Sequence, residues 1–293
     1  MGKTVFPQSF SPPTEYDQKI AVADSFMQIH RYDSSLYYYR KAFDSWNGWG
    51  TEDDRYKQAR AWGFEQNKDS LKKYLSYLIL DEHSHYYNYI KLANDSAFNI
   101  LKGTVFFKKI IKRAKIHKGK YFPSLNLSWV ELLAGVYRND QIRSELDFKN
   151  IHDIDSIRKI DSSNTVIVTS LLDKHGWLGP SIIGDQGNLT LFLVIQHSTH
   201  DVRLKYFPQL KEAIAKQNAQ PSQAALMEDR ILSETEGRQK YGSQLFWNKE
   251  EGRYKPFPII DEKNVNKRRA DMGMEPLEEY LKRYGIRYIL PEE

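Results

Sequence analysis

The sequence predicts a mainly α protein with one small β-hairpin near its C-terminal end. Apolar residues recur at spacings of three and four along most of the chain, as they do on the buried face of amphipathic helices. Clusters of turn-forming residues separate these stretches. Gln244–Trp247 and Arg253–Phe257 have strand-like composition, and the turn residues between them predict the hairpin.

Length and composition limit the class of protein. A chain of 293 residues with 40% hydrophobic residues predicts two domains. The net charge of +5, from 43 basic and 38 acidic residues, is too small to argue for nucleic acid by itself. Because the chain has no cysteine, disulfides, thiolate nucleophiles and cysteine-ligated zinc are excluded.

The sequence contains no segment that predicts membrane insertion or export. No stretch reaches the roughly 20 apolar residues that a membrane-spanning helix needs. The N-terminal residues lack the apolar core of a signal peptide. We therefore expect no membrane span and a cytoplasmic protein, and a secreted protein whose signal has been removed is equally compatible with the sequence.

The first predicted domain is helical and covers residues 16–101. Two helix–turn–helix units are offset by about 36 residues, close to the tetratricopeptide period. The first unit resembles that repeat at Ala23, Phe26, Ser35, Tyr39 and Ala42. In the second unit Ala59 and Trp62 fit, whereas Leu71 stands where a small residue belongs. The resemblance implies a concave surface for a protein partner, and an ordinary helical bundle is the alternative.

A basic connector, residues 102–124, follows the helical domain. Between Lys102 and Lys120 it carries eight lysines and arginines and no acidic residue, with apolar residues interleaved. Such a stretch can bind phosphates or an anionic surface, or it can be the solvated face of a packed helix. Nucleic-acid binding is not expected, because the charge of the whole chain is nearly balanced.

The second predicted domain, residues 125–286, is α-rich and contains the hairpin. An apolar stripe from Trp129 to Tyr137 predicts its first helix. Asp161–Asn164 has the composition of a helix cap and is expected to begin a later helix. The apolar run Leu191–Ile195 predicts a buried helix. Further helices are expected at about 209–217, 222–235 and 276–284.

Seven short motifs occur in order between residues 128 and 284. They are Asp140-Gln141-x-Arg143, Gly176-Trp177-x-Gly179, Gly184, Gln196-His197, Asp229-Arg230, Gln239-x-Tyr241-Gly242-Ser243-Gln244, and Arg268-Arg269 with Met272-Gly273. As an ordered set they are similar to an uncharacterised bacterial family with a domain of unknown function, often found alone or behind helical repeats. That family usually has threonine at the position of Ser243, and His200 is less typical of it than His197. The resemblance implies a set of site residues and no reaction.

The candidate catalytic residues lie directly after the apolar run. Ionisable side chains next to a buried segment need partners or a chemical role. On one continuous helix, Asp201 lies a turn away from His197 and can accept a hydrogen bond from its ring, which suits His197 as a general base. Tyr241 is the third catalytic candidate. A buried polar bridge between helices and a metal site that includes His200 are the alternatives, although no third metal ligand is evident.

The other motif residues are expected to form a pocket for a small polar or anionic ligand. Arginine binds carboxylates and phosphates bidentately, so Arg143 or Arg230 is expected to hold negative charge. The candidate ligand-binding residues are Asp140, Gln141, Arg143, Trp177, Gln196, Asp229, Arg230, Gln239 and Gln244. For Arg143 a surface ion pair is the alternative, and for Trp177 an anchor in the core is favoured. Gly242 is expected to have a positive φ.

Two functions follow from these patterns. Under the first, the repeats bind a protein partner and the C-terminal pocket binds a small polar or anionic ligand. Under the second, the C-terminal domain is a hydrolase-type enzyme with His197 as its base. No P-loop, GxSxG, HExxH or GxGxxG pattern occurs, and we predict neither a metal nor a cofactor.

Overall fold

The structure is a computed structural model that describes residues 11–81, 84–142 and 151–290. Over these ranges it is mainly α with one two-stranded antiparallel sheet, as the sequence predicts. The chain divides into two compact units, Met1–Pro123 (unit 1) and Ser124–Glu293 (unit 2). Among the described helices, none combines the length and apolar character that crossing a bilayer requires.

Unit 1 is built from short helices that pack on their neighbours in the chain. These are α1 (Thr14–Gln28), α2 (Tyr32–Ser45), α3 (Glu52–Phe64), α4 (Lys68–Ile79), α5 (Tyr89–Asn94), a 3-10 helix (Ser96–Leu101) and α6 (Val105–Tyr121). Helix α1 packs on α2, and α3 packs on α4. Asn67 caps α4, since its Oδ1 accepts a 3.0 Å hydrogen bond from Ser70 N. The apolar spacing of the sequence thus predicts both helix pairs.

Most residues that carry the repeat resemblance lie in the core of unit 1. Ala23, Ser35, Tyr39 and Ala42 are fully buried. Ser35 Oγ donates a 2.9 Å hydrogen bond to Ala23 O, which joins α1 to α2. Leu71, the residue that departs from the repeat pattern, is also fully buried. This packing suits a repeat and an ordinary bundle alike, so the tetratricopeptide resemblance stays a prediction.

Most of the basic segment 102–124 forms helix α6 (Val105–Tyr121), which packs within unit 1. Its inner face contributes Phe107, Ile110 and Ala114 to the same core as the residues of α3 and α4. His117 is also buried, and its Nδ1 lies 3.0 Å from Tyr86 O. The outer face carries the basic residues.

Unit 2 consists of longer helices followed by the hairpin. Its elements are α7 (Leu127–Ile142), α8 (Ile151–His175), α9 (Pro180–His197), α10 (His200–Ala215), α11 (Pro221–Thr235), β1 (Leu245–Asn248), β2 (Arg253–Pro256), a 3-10 helix (Glu262–Asn264), α12 (Val265–Asp271) and α13 (Leu277–Lys282). In the sheet, Leu245 pairs with Pro256 and Asn248 with Arg253. The hairpin prediction is confirmed.

One expected helix start is wrong. Asp161–Asn164 does not cap a helix but lies inside α8, which continues from Ile151 to His175. Apolar residues on both sides of this segment, such as Ile157 and Val168, are buried. Tertiary packing therefore overrides the preference of aspartate, serine and asparagine for helix ends.

Two glycines determine how α9 sits in unit 2. Gly184 has φ 72° and ψ 165°, so a non-helical residue separates the first turn of α9 from the rest of the helix. Gly187 allows α9 to approach α7 closely, because a Cβ there would lie only 3.2 Å from Leu133 Cδ1. The predicted apolar run follows, and Leu191, Phe192, Val194 and Ile195 are buried in the core of unit 2.

Candidate functional site

The contact at the centre of the candidate site joins His197 to Asp140. His197 Nδ1 lies 2.7 Å from Asp140 Oδ1. Asp140, in the last turn of α7, is 1% exposed, whereas the His197 side chain, at the end of α9, is 21% exposed. When Asp140 is ionised, its carboxylate can only accept hydrogen bonds, and Nδ1 then carries the proton of a neutral His197 ring. This leaves the lone pair on Nε2.

Asp201 does not form the predicted contact with His197. Helix α9 ends at His197, and α10 begins at His200. Ser198 between them has an extended conformation, with φ −73° and ψ −177°. The two side chains are therefore not one turn apart on a single helix, and Asp201 is exposed in the first turn of α10. The carboxylate that orients His197 is Asp140.

His197 lines a cleft with a volume of about 410 Å³. Its other lining residues come from α8, from the link between α9 and α10, and from the start of α10, and they are Arg158, Asp161, Ser162, Thr165, Val166, Ser198, Thr199 and Val202. Ser198 Oγ donates to Val194 O at 2.6 Å and lies 2.7 Å from Thr165 Oγ1. Ser198 uses its one proton for Val194 O, so Thr165 must be the donor in the second bond. The Arg158 side chain is 74% exposed and lies 3.4 Å from Asp155 Oδ1.

Three further motif residues meet beside the end of α9. Arg230 Nε donates to Gln244 Oε1 at 3.2 Å, and its Nη1 lies 3.5 Å from Gln196 O. Gln196 Nε2 in turn donates to Leu226 O at 3.2 Å. The buried Gln196 Oε1 has no hydrogen-bond partner among the described residues. These contacts attach the residue before His197 to α11 and to the segment that precedes the hairpin.

Asp229 organises a separate, fully satisfied turn. Its side chain is completely buried. Oδ1 accepts hydrogen bonds from Lys240 N at 2.7 Å and Tyr241 N at 2.9 Å, and Oδ2 accepts from Ser243 N and Ser243 Oγ, both at 2.9 Å. Burial raises the pKa of Asp229, and the four hydrogen bonds oppose that rise. All four bonds go to one turn of the chain, which gives Asp229 a structural role.

The remaining motif residues of this region also stabilise the turn. Gln239 is fully buried, and its Nε2 donates to Gln244 O at 3.0 Å and to Phe257 O at 2.9 Å. Gly242 has φ 80°, as expected, and a Cβ there would lie 2.6 Å from Leu277 Cδ1. Burial and the negative charges of the nearby Glu228 and Asp229 raise the pKa of Tyr241. Tyr241 is not among the residues that line the cleft of His197.

The other candidates lie in three different settings. Trp177 is 6% exposed and packs in the core of unit 2, which agrees with its role as an anchor. Gln141 is exposed, and its Nε2 donates to Asp140 Oδ2 at 2.9 Å. Arg143 lies outside the described residues.

A charged cluster next to the cleft is not predicted by the sequence patterns. Arg203 is 4% exposed; its Nη2 donates to Glu234 Oε1 at 2.5 Å, and its Nη1 donates to the carbonyl oxygens of Gln196 and Ser198. His200 Nδ1 lies 2.9 Å from Glu234 Oε2. Burial acts to raise the pKa of Glu234, but the hydrogen bonds from Arg203 and His200 outweigh it and lower the pKa. A clue was the position of Arg203, three residues before the buried Tyr206 on the same helix face.

His197 and His200 therefore pair with different carboxylates. Within the described ranges, no group of three or more histidine, aspartate or glutamate side chains is placed to hold a metal ion. The structure instead provides a histidine beside a cleft. Its Nδ1 is fixed by a buried carboxylate, and its ring is accessible to solvent. This arrangement resembles the orienting pair of a general base.

Comparison with known proteins places unit 2 in a family. No curated protein and no solved structure is significantly similar to the chain. A family model described as a family of unknown function, DUF6624, matches residues 133–290. That match covers more than half of the chain and includes Asp140, His197 and the Asp229 turn. The chain belongs to the family of unknown function DUF6624.

Proposed function

We propose that unit 2 binds a small polar or anionic ligand in the cleft beside His197 and that His197 acts there as a general base in a hydrolytic reaction. The observation that carries this proposal is the 2.7 Å contact between His197 Nδ1 and the buried Asp140 Oδ1, in a histidine that also lines a cleft. Asp140 is the residue that positions the base.

The accessibility of His197 favours this role over a buried structural bridge. A bridging histidine usually has both ring nitrogens bonded to protein groups, because buried polar atoms are rarely left unpaired. His197 has a protein partner at Nδ1, and no described residue is hydrogen-bonded to Nε2. Its partly exposed ring therefore leaves Nε2 free to accept a proton from water or from a ligand hydroxyl.

The chemistry of the cleft suits a small polar or anionic ligand. Arg158 contributes a guanidinium group, and Ser162 and Thr199 contribute hydroxyls. Guanidinium and hydroxyl groups bind phosphate and carboxylate oxygens. A volume of about 410 Å³ also lies in the usual range of small-molecule sites.

Two variants of the pair and one control test the proposal. We expect purified protein to hydrolyse at least one of p-nitrophenyl acetate, p-nitrophenyl phosphate and bis-p-nitrophenyl phosphate. His197→Gln and Asp140→Asn should lower kcat/KM about 10²–10⁴-fold, the usual contribution of a general base. His175→Gln should leave the rate unchanged, since His175 is exposed at the end of α8 and does not line the cleft.

A second measurement reports on the histidine itself. In ¹⁵N NMR spectra of the histidine rings, His197 should carry its proton on Nδ1, and added inorganic phosphate should shift its Nε2 signal. No hydrolysis together with an Nε2 signal that phosphate leaves unmoved would rule out the site and identify the pair as a structural bridge.

A second candidate function concerns a protein partner of unit 1. A cleft of about 310 Å³ lies between α2, α3 and α4 and includes the aromatic side chains Tyr37, Trp62 and Tyr74. Gln58 also lines it, and this side chain is 3% exposed. Its Oε1 has no hydrogen-bond partner among the described residues. A peptide could supply the missing N–H donor and pack an apolar side chain against the rings.

Peptide selection tests this second function. Peptides selected by phage display against the full chain should bind with a change in tryptophan fluorescence. Gln58→Leu should weaken binding about 5–30-fold through loss of one buried hydrogen bond while leaving the fold intact. Ile29→Ser, at an exposed position outside this cleft, is the control. Equal peptide affinity of the wild type and Gln58→Leu would contradict the assignment.

A further inference from the structure

Helix α6 has an outer face that is entirely basic and apolar. Lys108, Lys109, Lys112 and Arg113 are exposed on it. None of the four forms an ion pair with a described residue. No acidic residue occurs between Lys102 and Lys120. Elsewhere in the chain some lysines are paired, as Lys19 is with Glu15 at 2.6 Å; what distinguishes α6 is that its cations are concentrated on one helix without any acidic residue.

Apolar side chains are exposed on the same helix. Val105, at its first position, is 85% exposed, and Ile116 is 51% exposed. Val105, Lys109, Lys112 and Ile116 follow one another at spacings of three and four, so they lie along one stripe of the helix. Exposure of large apolar side chains to water is unfavourable. A boundary between a charged layer and an apolar layer would accommodate both these side chains and the unpaired cations.

Aromatic residues cluster at the C-terminal end of α6. Tyr121 and Phe122 are 39% and 37% exposed. The ring of Phe122 lies 4.9 Å from that of Tyr87, which is 36% exposed. Aromatic rings with partly exposed faces, next to lysines, are typical of segments that lie at the boundary between lipid headgroups and acyl chains.

We propose that the outer face of α6 binds an anionic membrane surface, with the helix parallel to the bilayer plane. The four cations would lie among acidic headgroups, and Val105 and Ile116 would enter the boundary with the acyl chains. The inner face is already committed, because Phe107, Ile110 and Ala114 pack in the core of unit 1. The helix can therefore bind a surface without unfolding.

The exposed apolar residues favour a membrane over a nucleic acid. Phosphate groups of a nucleic acid would pair with the lysines and arginine and would leave Val105 and Ile116 in water. A lipid surface accommodates both the charges and the apolar side chains. The α6 surface belongs to unit 1 and is independent of the reaction proposed for His197.

Vesicle binding by the full chain tests the inference. We expect the protein to bind vesicles of 70% phosphatidylcholine and 30% phosphatidylserine in flotation assays, and not vesicles of phosphatidylcholine alone. Binding should weaken strongly between 0.1 and 0.5 M NaCl, since salt screens the charges. The triple variant Lys109→Glu, Lys112→Glu and Arg113→Glu should bind at least about 100-fold more weakly, at about fivefold for each cation removed.

Two further variants separate this surface from a general charge effect. Lys159→Glu, Lys249→Glu and Lys267→Glu together change the net charge equally at exposed positions of unit 2 and should leave vesicle binding within about twofold of the wild type. Val105→Ser with Ile116→Ser keeps every charge and should weaken binding several-fold. Circular dichroism melting should show all variants folded, because the substituted side chains are exposed.

Three outcomes would overturn the inference. They are equal binding to both vesicle types, equal loss in the two triple variants, and binding of a mixed-sequence RNA or DNA oligonucleotide at the same salt without any binding to the phosphatidylserine vesicles. The last outcome would assign the α6 face to nucleic acid.

Discussion

Two buried aspartates among the described residues of unit 2 differ in what their hydrogen bonds do. Asp229 accepts four hydrogen bonds, all from one turn of the chain between Lys240 and Ser243. Asp140 binds Nδ1 of a histidine whose ring reaches solvent at a cleft. The first carboxylate closes a structural turn, and the second orients a group that remains available to a ligand. Burial of the carboxylate therefore does not distinguish the two aspartates, whereas the accessibility of the bonded partner does.

The largest stability loss is expected at Asp229. Asp229→Ala would leave three backbone N–H groups and the Ser243 hydroxyl without their acceptor, and it should lower the free energy of unfolding by about 3–5 kcal/mol. Urea denaturation measures this loss. Ser243→Thr, which keeps the hydroxyl, should cost under about 1 kcal/mol. A loss of less than about 1 kcal/mol for Asp229→Ala would remove the contrast with Asp140.

Gly242→Ala should have the next largest effect on stability. Alanine at φ 80° is strained, and its Cβ would lie 2.6 Å from Leu277 Cδ1, so we expect a loss of about 3 kcal/mol. Gly237→Ala is a matched control, because Gly237 has φ 65° with no atom within 4 Å of a Cβ. It should cost about 1 kcal/mol from strain alone. Equal denaturation midpoints for the two variants would show that the contact with Leu277 is unimportant.

Asp140→Asn should separate function from stability. Asparagine keeps the volume and can still accept a hydrogen bond from His197 Nδ1, so the free energy of unfolding should fall by only about 1–2 kcal/mol. The phosphate-induced NMR shift of His197 Nε2 should nevertheless be reduced or lost. A stability loss as large as that of Asp229→Ala, with an unchanged phosphate response, would place Asp140 in the same structural class as Asp229.

The smallest effect is expected at Glu234, which lies on the surface side of the site. The pKa of Glu234 is lowered from its ordinary 4.5 in the folded protein, so its ionised form is favoured by folding. This contribution is complete above pH 4.5 and disappears as the pH falls through the lowered pKa. The difference in free energy of unfolding between wild type and Glu234→Gln should therefore be constant from pH 7 to 5 and shrink below it. A difference that does not shrink below pH 4.5 would contradict the lowered pKa of Glu234.

The sequence predicts the fold better than the partner of His197. The apolar run Leu191–Ile195, the hairpin and the positive φ of Gly242 depend on local patterns, and the structure confirms them. Asp140 lies 57 residues before His197 in the chain, and no local pattern connects the two. The break at Ser198 also depends on tertiary contacts, since Arg203 binds the carbonyl oxygens of Gln196 and Ser198. Because the sequence shows no sign of this break, it predicts one continuous helix and therefore Asp201 as the partner of His197.

The close approach of α7 and α9 at Gly187 has a mechanical consequence for the site. His197 lies ten residues beyond Gly187, which is about 15 Å along a helix. A rotation of about 4° at this crossing would therefore move the imidazole by about 1 Å relative to Asp140, and a displacement of that size can slow catalysis about 100-fold. The packing at this crossing therefore determines the distance between the imidazole and Asp140. Under the reaction proposed for His197, a substitution at position 187 would therefore change the rate, although a glycine contributes no side chain to the pair.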